Sequence, residues 1–299
     1  MGVRINTNID AISADRHLGI TSLGLSRSIQ RLSSGLRINS AIDDAAGLAI
    51  SERLRAQVRG NNQAVRNTQD GISLFQTAEG ALDEVHVMLQ RMRELNVQAG
   101  NGTLSALDRQ SISKEVQELS GAIERVATTT QFNNLMLLDG NFGGVANGSI
   151  TLQIGPNADN GVNATYTTTV AMADITISNG AFGNFTGGPA AVDLSTFLTV
   201  GNIANETEAN QNLSLIDAAI NNVSAFRGLI GARQNMLEHV VASLNVASEN
   251  QAAAESRIRD LDVANETVNF TKLQILQQAG TAVLAQANTA PQSVLQLLR

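Results

Sequence analysis

Both ends of this 299-residue chain carry apolar positions that alternate by three and four, and nearly the whole protein lies between them. Near the N-terminus the pattern runs through Leu18, Ser22, Leu25, Ile29, Leu32 and Leu36. Near the C-terminus it runs through Leu273, Leu276, Gly280, Val283, Ala287, Ala290, Val294 and Leu297. That alternation draws a narrow stripe along one side of a helix, the geometry of a coiled-coil seam. A lone helix has nothing to bury such a stripe against. The two seams therefore pair with each other or with copies from neighbouring molecules, and the spacing predicts a protein built to assemble.

Charge supports this division of labour. The first 40 residues hold Arg4, Arg16, Arg27, Arg31 and Arg37 against Asp10 and Asp15, and residues 262–299 are balanced. The chain as a whole carries -7, so its middle is acidic and suited to a wet exterior. That balance argues against a general nucleic-acid binder. No cysteine is present, which removes disulfides, thiolate metal sites and a cysteine nucleophile. No apolar run approaches the roughly 20 residues of a membrane span. The start, Met1-Gly-Val-Arg-Ile, lacks the apolar core of a cleavable secretory signal.

Along the chain, residues 4–36 read as a helix that stops at Ser33-Ser34-Gly35. Ser40 and Asp43 have capping-box spacing ahead of a second helix from about Asp44 to Ala99. A continuous helix of that length spans roughly 80 Å, the length of a rod. Its apolar line runs through Leu54, Val58, Asn61, Val65, Thr68, Ile72 and Phe75, then resumes after a shift near Ala78. Gly60, Gly71 and Gly80 are weak points in it, each costing about 1 kcal/mol against alanine. Ser105 with Asp108 opens a third helix that folds back antiparallel. From Phe132 to about Asn205, runs such as Ser149–Ile154, Thr165–Val170 and Asp174–Ser178 alternate between Gly and Asn, as hairpin strands do. Helix returns from about Glu208. The expected fold is mainly α: an elongated antiparallel bundle with a small hairpin-rich region at the far end and paired termini.

Catalysis finds little support. His17, His86 and His239 stand in separate helical segments without zinc-site spacing. Gly140, Gly143 and Gly144 lack the Lys-Ser/Thr of a phosphate loop and read as turn glycines. No metal or cofactor is expected. Asn163-Ala-Thr165 and Asn184-Phe-Thr186 fit a glycosylation pattern that is common by chance. Arg91 and Leu95 are four apart and share one side of the long helix, which physics alone reads as a solvated, ion-paired surface.

Several stretches resemble the bacterial flagellin family. They are Arg31-Leu-Ser-Ser-Gly-Leu-Arg-Ile-Asn-Ser40 with Asp43-Asp-Ala-Ala-Gly47, Leu89-Gln-Arg-Met-Arg-Glu-Leu95, Gln131-Phe-Asn133, and Leu276-Gln-Gln-Ala-Gly-Thr-Ala-Val-Leu-Ala-Gln-Ala-Asn288. The resemblance covers about residues 1–140 and 210–299 in family order. It implies a non-enzymatic subunit, exported without a cleaved signal through the flagellar type III apparatus, that polymerises into the extracellular filament. Implied partners are copies of itself, the filament cap, hook-associated proteins and an export chaperone, with no nucleic acid and no membrane. A hook–filament junction protein is the alternative.

The resemblance also implies a domain layout. Residues 1–42 and 262–299 form an inner core domain whose assembly seam is Leu18, Leu25, Ile29, Leu32, Leu36, Leu273, Leu276, Val283, Ala287, Val294 and Leu297. Residues 43–162 and 207–261 form an outer helical domain, and residues 163–206 a short variable surface segment. Arg91, Leu95 and Glu115 fall on the family's motif for contact with Toll-like receptor 5. Recognition competence is expected of the monomer. The terminal seams, lacking a stable partner before assembly, are expected to be poorly ordered in the free subunit.

Overall fold

The computed structural model describes residues 7–138, 141–142, 145–146, 149–157, 167–171, 203 and 206–297. The chain divides into two units, one of Met1–Val58 with Glu249–Arg299, the other of Arg59–Ser248. The division falls inside two long helices, α2 (Ala45–Ala99) and α4 (Glu206–Arg259), each of which contributes to both units.

The first unit begins with α1 (Ile9–Ser34). The side chain of Asn8 accepts the Ala11 N–H at 3.1 Å, so the cap lies at Asn8 and not near residue 4 as the pattern suggested. The helix ends as expected at Gly35, whose φ of 70° is the left-handed turn that glycine takes without strain. The following link is pinned by Asp43. Its carboxylate accepts the N–H of Asn39 at 3.2 Å, the N–H of Ser40 at 3.1 Å and the Ser40 hydroxyl at 3.2 Å, with Arg31 3.8 Å away. The Ser40 backbone bond leads in holding this carboxyl below its ordinary pKa of 3.8. The pair thus closes a turn rather than the expected capping box. The cap of α2 is the next residue, Asp44, which accepts the Gly47 N–H at 2.9 Å.

A final helix, α5 (Val263–Leu297), lies antiparallel to α1. Asn8 donates to the Ala287 carbonyl at 2.7 Å. A Cβ on Gly280 would stand 3.2 Å from Leu18, and one on Gly24 3.4 Å from Leu273. At the base of the pair, Leu36 and Asp260 form an antiparallel bridge. Arg37 N–H donates to Arg259 O at 2.7 Å, and Leu261 N–H to Gly35 O at 3.0 Å. Ion pairs join α2 and α4 within this unit, Arg55 to Glu255 at 2.7 Å and Arg259 to Glu52 at 2.5 Å.

The second unit is a three-helix core. Its third helix, α3 (Ala106–Thr129), opens with the expected capping box of Ser105 and Asp108. The buried line on α2 runs Asn61, Ala64, Thr68, Gly71, Phe75, Ala78, Leu82, Val85, Leu89, Met92, Asn96 and Ala99. This is one unbroken three-four alternation, so the expected shift near Ala78 does not occur. Small residues hold positions that Val65 and Ile72 were expected to fill, and those two are half-buried. Matching lines run through Ser113, Val116, Ser120, Ile123 and Ala127 of α3, and through Asn212, Ile216, Ala219, Val223, Phe226 and Ile230 of α4. Three such seams facing one another make a coiled-coil core.

Three antiparallel hairpins follow α3 in sequence. The first joins β1 (Gln131–Phe132) to β2 (Leu135–Met136). Asn133 and Asn134, with φ of 49° and 64°, supply the left-handed pair that a type I′ turn needs. The second pairs β3 (Asn141–Phe142) with β4 (Val145–Ala146), and the third β5 (Ser149–Gln153) with β6 (Thr167–Ala171). The strand expected at Asp174–Ser178 and most of the 163–206 segment lie outside the described residues. The third hairpin lies against α2: Asn67 donates to Gln153 O at 3.1 Å, and Leu152 stands 2.6 Å from where a Gly71 Cβ would be.

Candidate functional site: an uncovered helix pair and an ion-paired ridge

In α1, a line of less exposed positions runs through Ala11, Ala14, Leu18, Thr21, Leu25, Ser28 and Leu32. In α5 they are Glu266, Phe270, Leu273, Gln277, Gly280, Leu284 and Ala287. These lines repeat by three and four, and they are the faces the two helices turn to each other. Leu18, Leu25, Leu32, Leu273 and Ala287 lie on them as the sequence suggested, and Leu36 is half-buried just beyond α1. Ile29, Leu276 and Val283 do not: they are 51%, 46% and 58% exposed. Thr21, Ser28, Gln277 and Leu284 take the inward places, because the intrachain contact follows a phase one residue away from the largest side chains. The side chains of Val294 and Leu297 lie outside the described residues.

The displaced residues join other apolar side chains that α1 and α5 leave open. Ile9, Ile12, Ile20 and Leu23 of α1, with Val263, Val268 and Ile275 of α5, are all more than half exposed. An open depression of about 490 Å³ runs along α5 beside Thr267, Val268, Thr271, Lys272, Ile275 and Leu276. Burying each large aliphatic side chain of this kind is worth about 1.5–3 kcal/mol, so neighbours that cover them gain stability.

In the second unit, Arg91 sits on the outside of α2 and reaches α3. Its Nε and Nη2 donate to Glu115 Oε1 at 3.1 and 2.9 Å, and its Nη1 to Glu94 Oε2 at 3.1 Å. The Glu115 hydrogen bond, with help from Glu94, raises the guanidinium pKa above its ordinary value. Arg91 and Glu115 are therefore together on the surface. Leu95 is not with them: it is 2% exposed, packed into the core beside Met92. A step of four residues turns a helix by about 40°, enough to separate the edge of a seam from its centre. Sequence reading missed the neighbouring pair of Arg93 and Asp217, which joins α2 to α4 at 2.6 Å. It borders a polar depression with Gln90, Glu94, Ile220 and Asn221. Its partners are 124 positions apart, and no local spacing announces them. Among the described residues no cluster of three His, Asp or Glu side chains has the arrangement of a metal site, and no helix is long and apolar enough to cross a membrane.

Terminal helices that pair yet leave apolar faces open define a self-associating structural subunit. The chain belongs to the bacterial flagellin family: residues 5–143 match the bacterial flagellin N-terminal helical region and residues 213–298 the C-terminal helical region. It is similar to the flagellin of Halalkalibacterium halodurans, 48% identical over 298 residues and covering 99% of each chain. The flagellin of Bacillus subtilis is 46% identical over 310 residues, with 99% of this chain and 100% of that one covered. Among solved structures, flagellar hook-associated protein-3 of Legionella pneumophila has a TM-score of 0.52 at 17% identity, covering 69% of this chain and 98% of that one, a likeness of fold alone.

Proposed function

We infer that this chain is a structural subunit of the bacterial flagellar filament and polymerises with copies of itself. The observation that carries this reading is the set of apolar side chains that α1 and α5 leave uncovered, in a chain that aligns with flagellins from end to end. The hook–filament junction alternative has less support, since the likeness to a hook-associated protein is one of fold at low identity. In this reading residues 1–42 and 262–299 form the filament core, and the neighbours' helices cover Ile29, Leu276 and Val283. The filament is extracellular. The subunit reaches it by flagellar type III export with a dedicated chaperone, and meets cap and hook-associated proteins there.

The test uses aspartate at Ile29, Leu276 and Val283, positions exposed in the single chain. The variant should keep the helical circular dichroism and thermal unfolding of the native subunit and form no filaments by electron microscopy after seeding. Filaments of normal length from the triple variant would refute the assembly face.

A second reading concerns the ridge of Arg91 and Glu115, whose outward guanidinium and carboxylate support it as a contact for Toll-like receptor 5. Leu95 then acts from beneath, by fixing the helix that presents Arg91. Arg91→Asp should abolish receptor signalling by the monomer without unfolding it, and undiminished signalling would remove the ridge from consideration.

A further inference from the structure

We propose that Asn101 is a site of spontaneous covalent modification, closing on the backbone nitrogen of Gly102 to a succinimide that water opens to aspartate and isoaspartate. Asn101 lies exposed in the loop between α2 and α3, its N–H bonded to Gln98 O at 3.1 Å. Its side-chain Oδ1 accepts the Thr103 N–H at 3.3 Å, an Asx turn. The hydrogen-bonded ring of that turn contains both the carboxamide carbon and the Gly102 nitrogen, the two atoms that join. The Thr103 N–H also draws electron density from the same carbonyl. Gly102 has no Cβ to shield its nitrogen, and among the described residues its N–H donates to no acceptor. No other asparagine among the described residues precedes a glycine.

The step balances without any redox partner. The Gly102 nitrogen bonds to Cγ and gives up its proton, the carboxamide C–N bond breaks, and ammonia leaves. Water then adds to one of the two succinimide carbonyls. Opening at the side-chain carbonyl gives aspartate in the original main chain. Opening at the main-chain carbonyl gives isoaspartate, with one extra methylene in the backbone. Either product sets a new carboxylate beside a built cation. Arg109, its side chain 13% exposed, donates to Ala99 O and Asn101 O, each at 3.1 Å, and to Glu206 at 3.3 Å. It thereby ties the end of α2, the loop and the start of α4. In isoaspartate the former main-chain carbonyl of Asn101, which Arg109 holds, becomes the free carboxylate, so the acceptor in that clamp changes from neutral to anionic.

The experiment holds the full-length soluble subunit at mildly alkaline pH, in buffer and in urea. Peptide mass mapping follows the amide-to-acid shift, and an isoaspartyl methyltransferase labels the rearranged product. Asn147, Asn160 and Asn179, each also followed by glycine, serve as comparisons within the same chain. Asn101 should convert in the folded protein at least as fast as in urea, mainly to isoaspartate. Gly102→Ala should lose most of the conversion. That variant should fold, because the added Cβ meets only the end of the exposed, flexible Glu206 side chain, at 2.9 Å, and no backbone. Persistence of the amide in the folded protein, whether or not the urea-unfolded chain converts, would overturn the proposal, as would undiminished conversion in Gly102→Ala.

Discussion

Three glycines of α2 look alike in sequence and differ in what touches them. A Cβ on Gly60 would stand 2.8 Å from Pro156 Cβ and 3.1 Å from its Cα, whereas one on Gly80 would meet nothing within 4 Å. Helix propensity favours alanine by about 1 kcal/mol at either site. At Gly60 overpacking against backbone that cannot swing aside outweighs that gain, so Gly60→Ala should destabilise the subunit by about 1–3 kcal/mol. Gly80→Ala should stabilise it by about 0.5–1 kcal/mol. Urea unfolding of the two variants measures both, and the same sign for both would show that the Pro156 contact does not decide the matter. Each glycine's helical cost was legible in the sequence. Its reason was not, because Pro156 arrives from 96 positions away. Leu95 teaches the same lesson. Spacing placed it near Arg91, but only the neighbouring helices decide which of two adjacent side chains meets water.

Helix beginnings and ends were the most legible elements, since caps are made by residues within one turn. Gly35 and the Ser105–Asp108 box stand where the residue types put them. Asp43 shows how close chemistry can still be misassigned: its carboxylate accepts the Ser40 N–H as in a capping box, yet the helix is capped four residues beyond Ser40, by Asp44. Because those bonds favour the charged form, the folded pKa lies below the unfolded one. Asp43 thus contributes stability above the ordinary 3.8, and that contribution fades as pH falls through the lower folded value. The difference in urea midpoint between the native subunit and Asp43→Asn should be widest at neutral pH and close in acid. A difference that grows on acidification would reverse the sign and reject this account. The long seams were less legible. Their pattern is kept by Ala64, Gly71 and Ala78 and by the polar Asn61, Thr68 and Asn96 as much as by large apolar residues. A reading weighted by side-chain size follows the wrong phase where these residues carry the line.

At the scale of the molecule, the nested order of helices, strands and helices was plain from composition and period, and so was the pairing of the two ends. The division between units was hidden, because α2 and α4 pass through it without any break in helical pattern. A chain ended at Leu261 removes α5 while leaving Arg59–Ser248 whole. It should retain a cooperative helical unfolding transition and give no filaments by electron microscopy. Loss of the transition would mean that the second unit depends on the first, and filaments would mean that α5 is dispensable. The antiparallel contact of α1 with α5 also sets an order in time. When a ribosome makes this protein, the first helix emerges long before Ala287, which receives the hydrogen bond of Asn8 from 279 positions away. Until then the N-terminal segment has no mate within its own molecule. The nascent polypeptide therefore carries its first helix unmated while everything between the two partners is still being made.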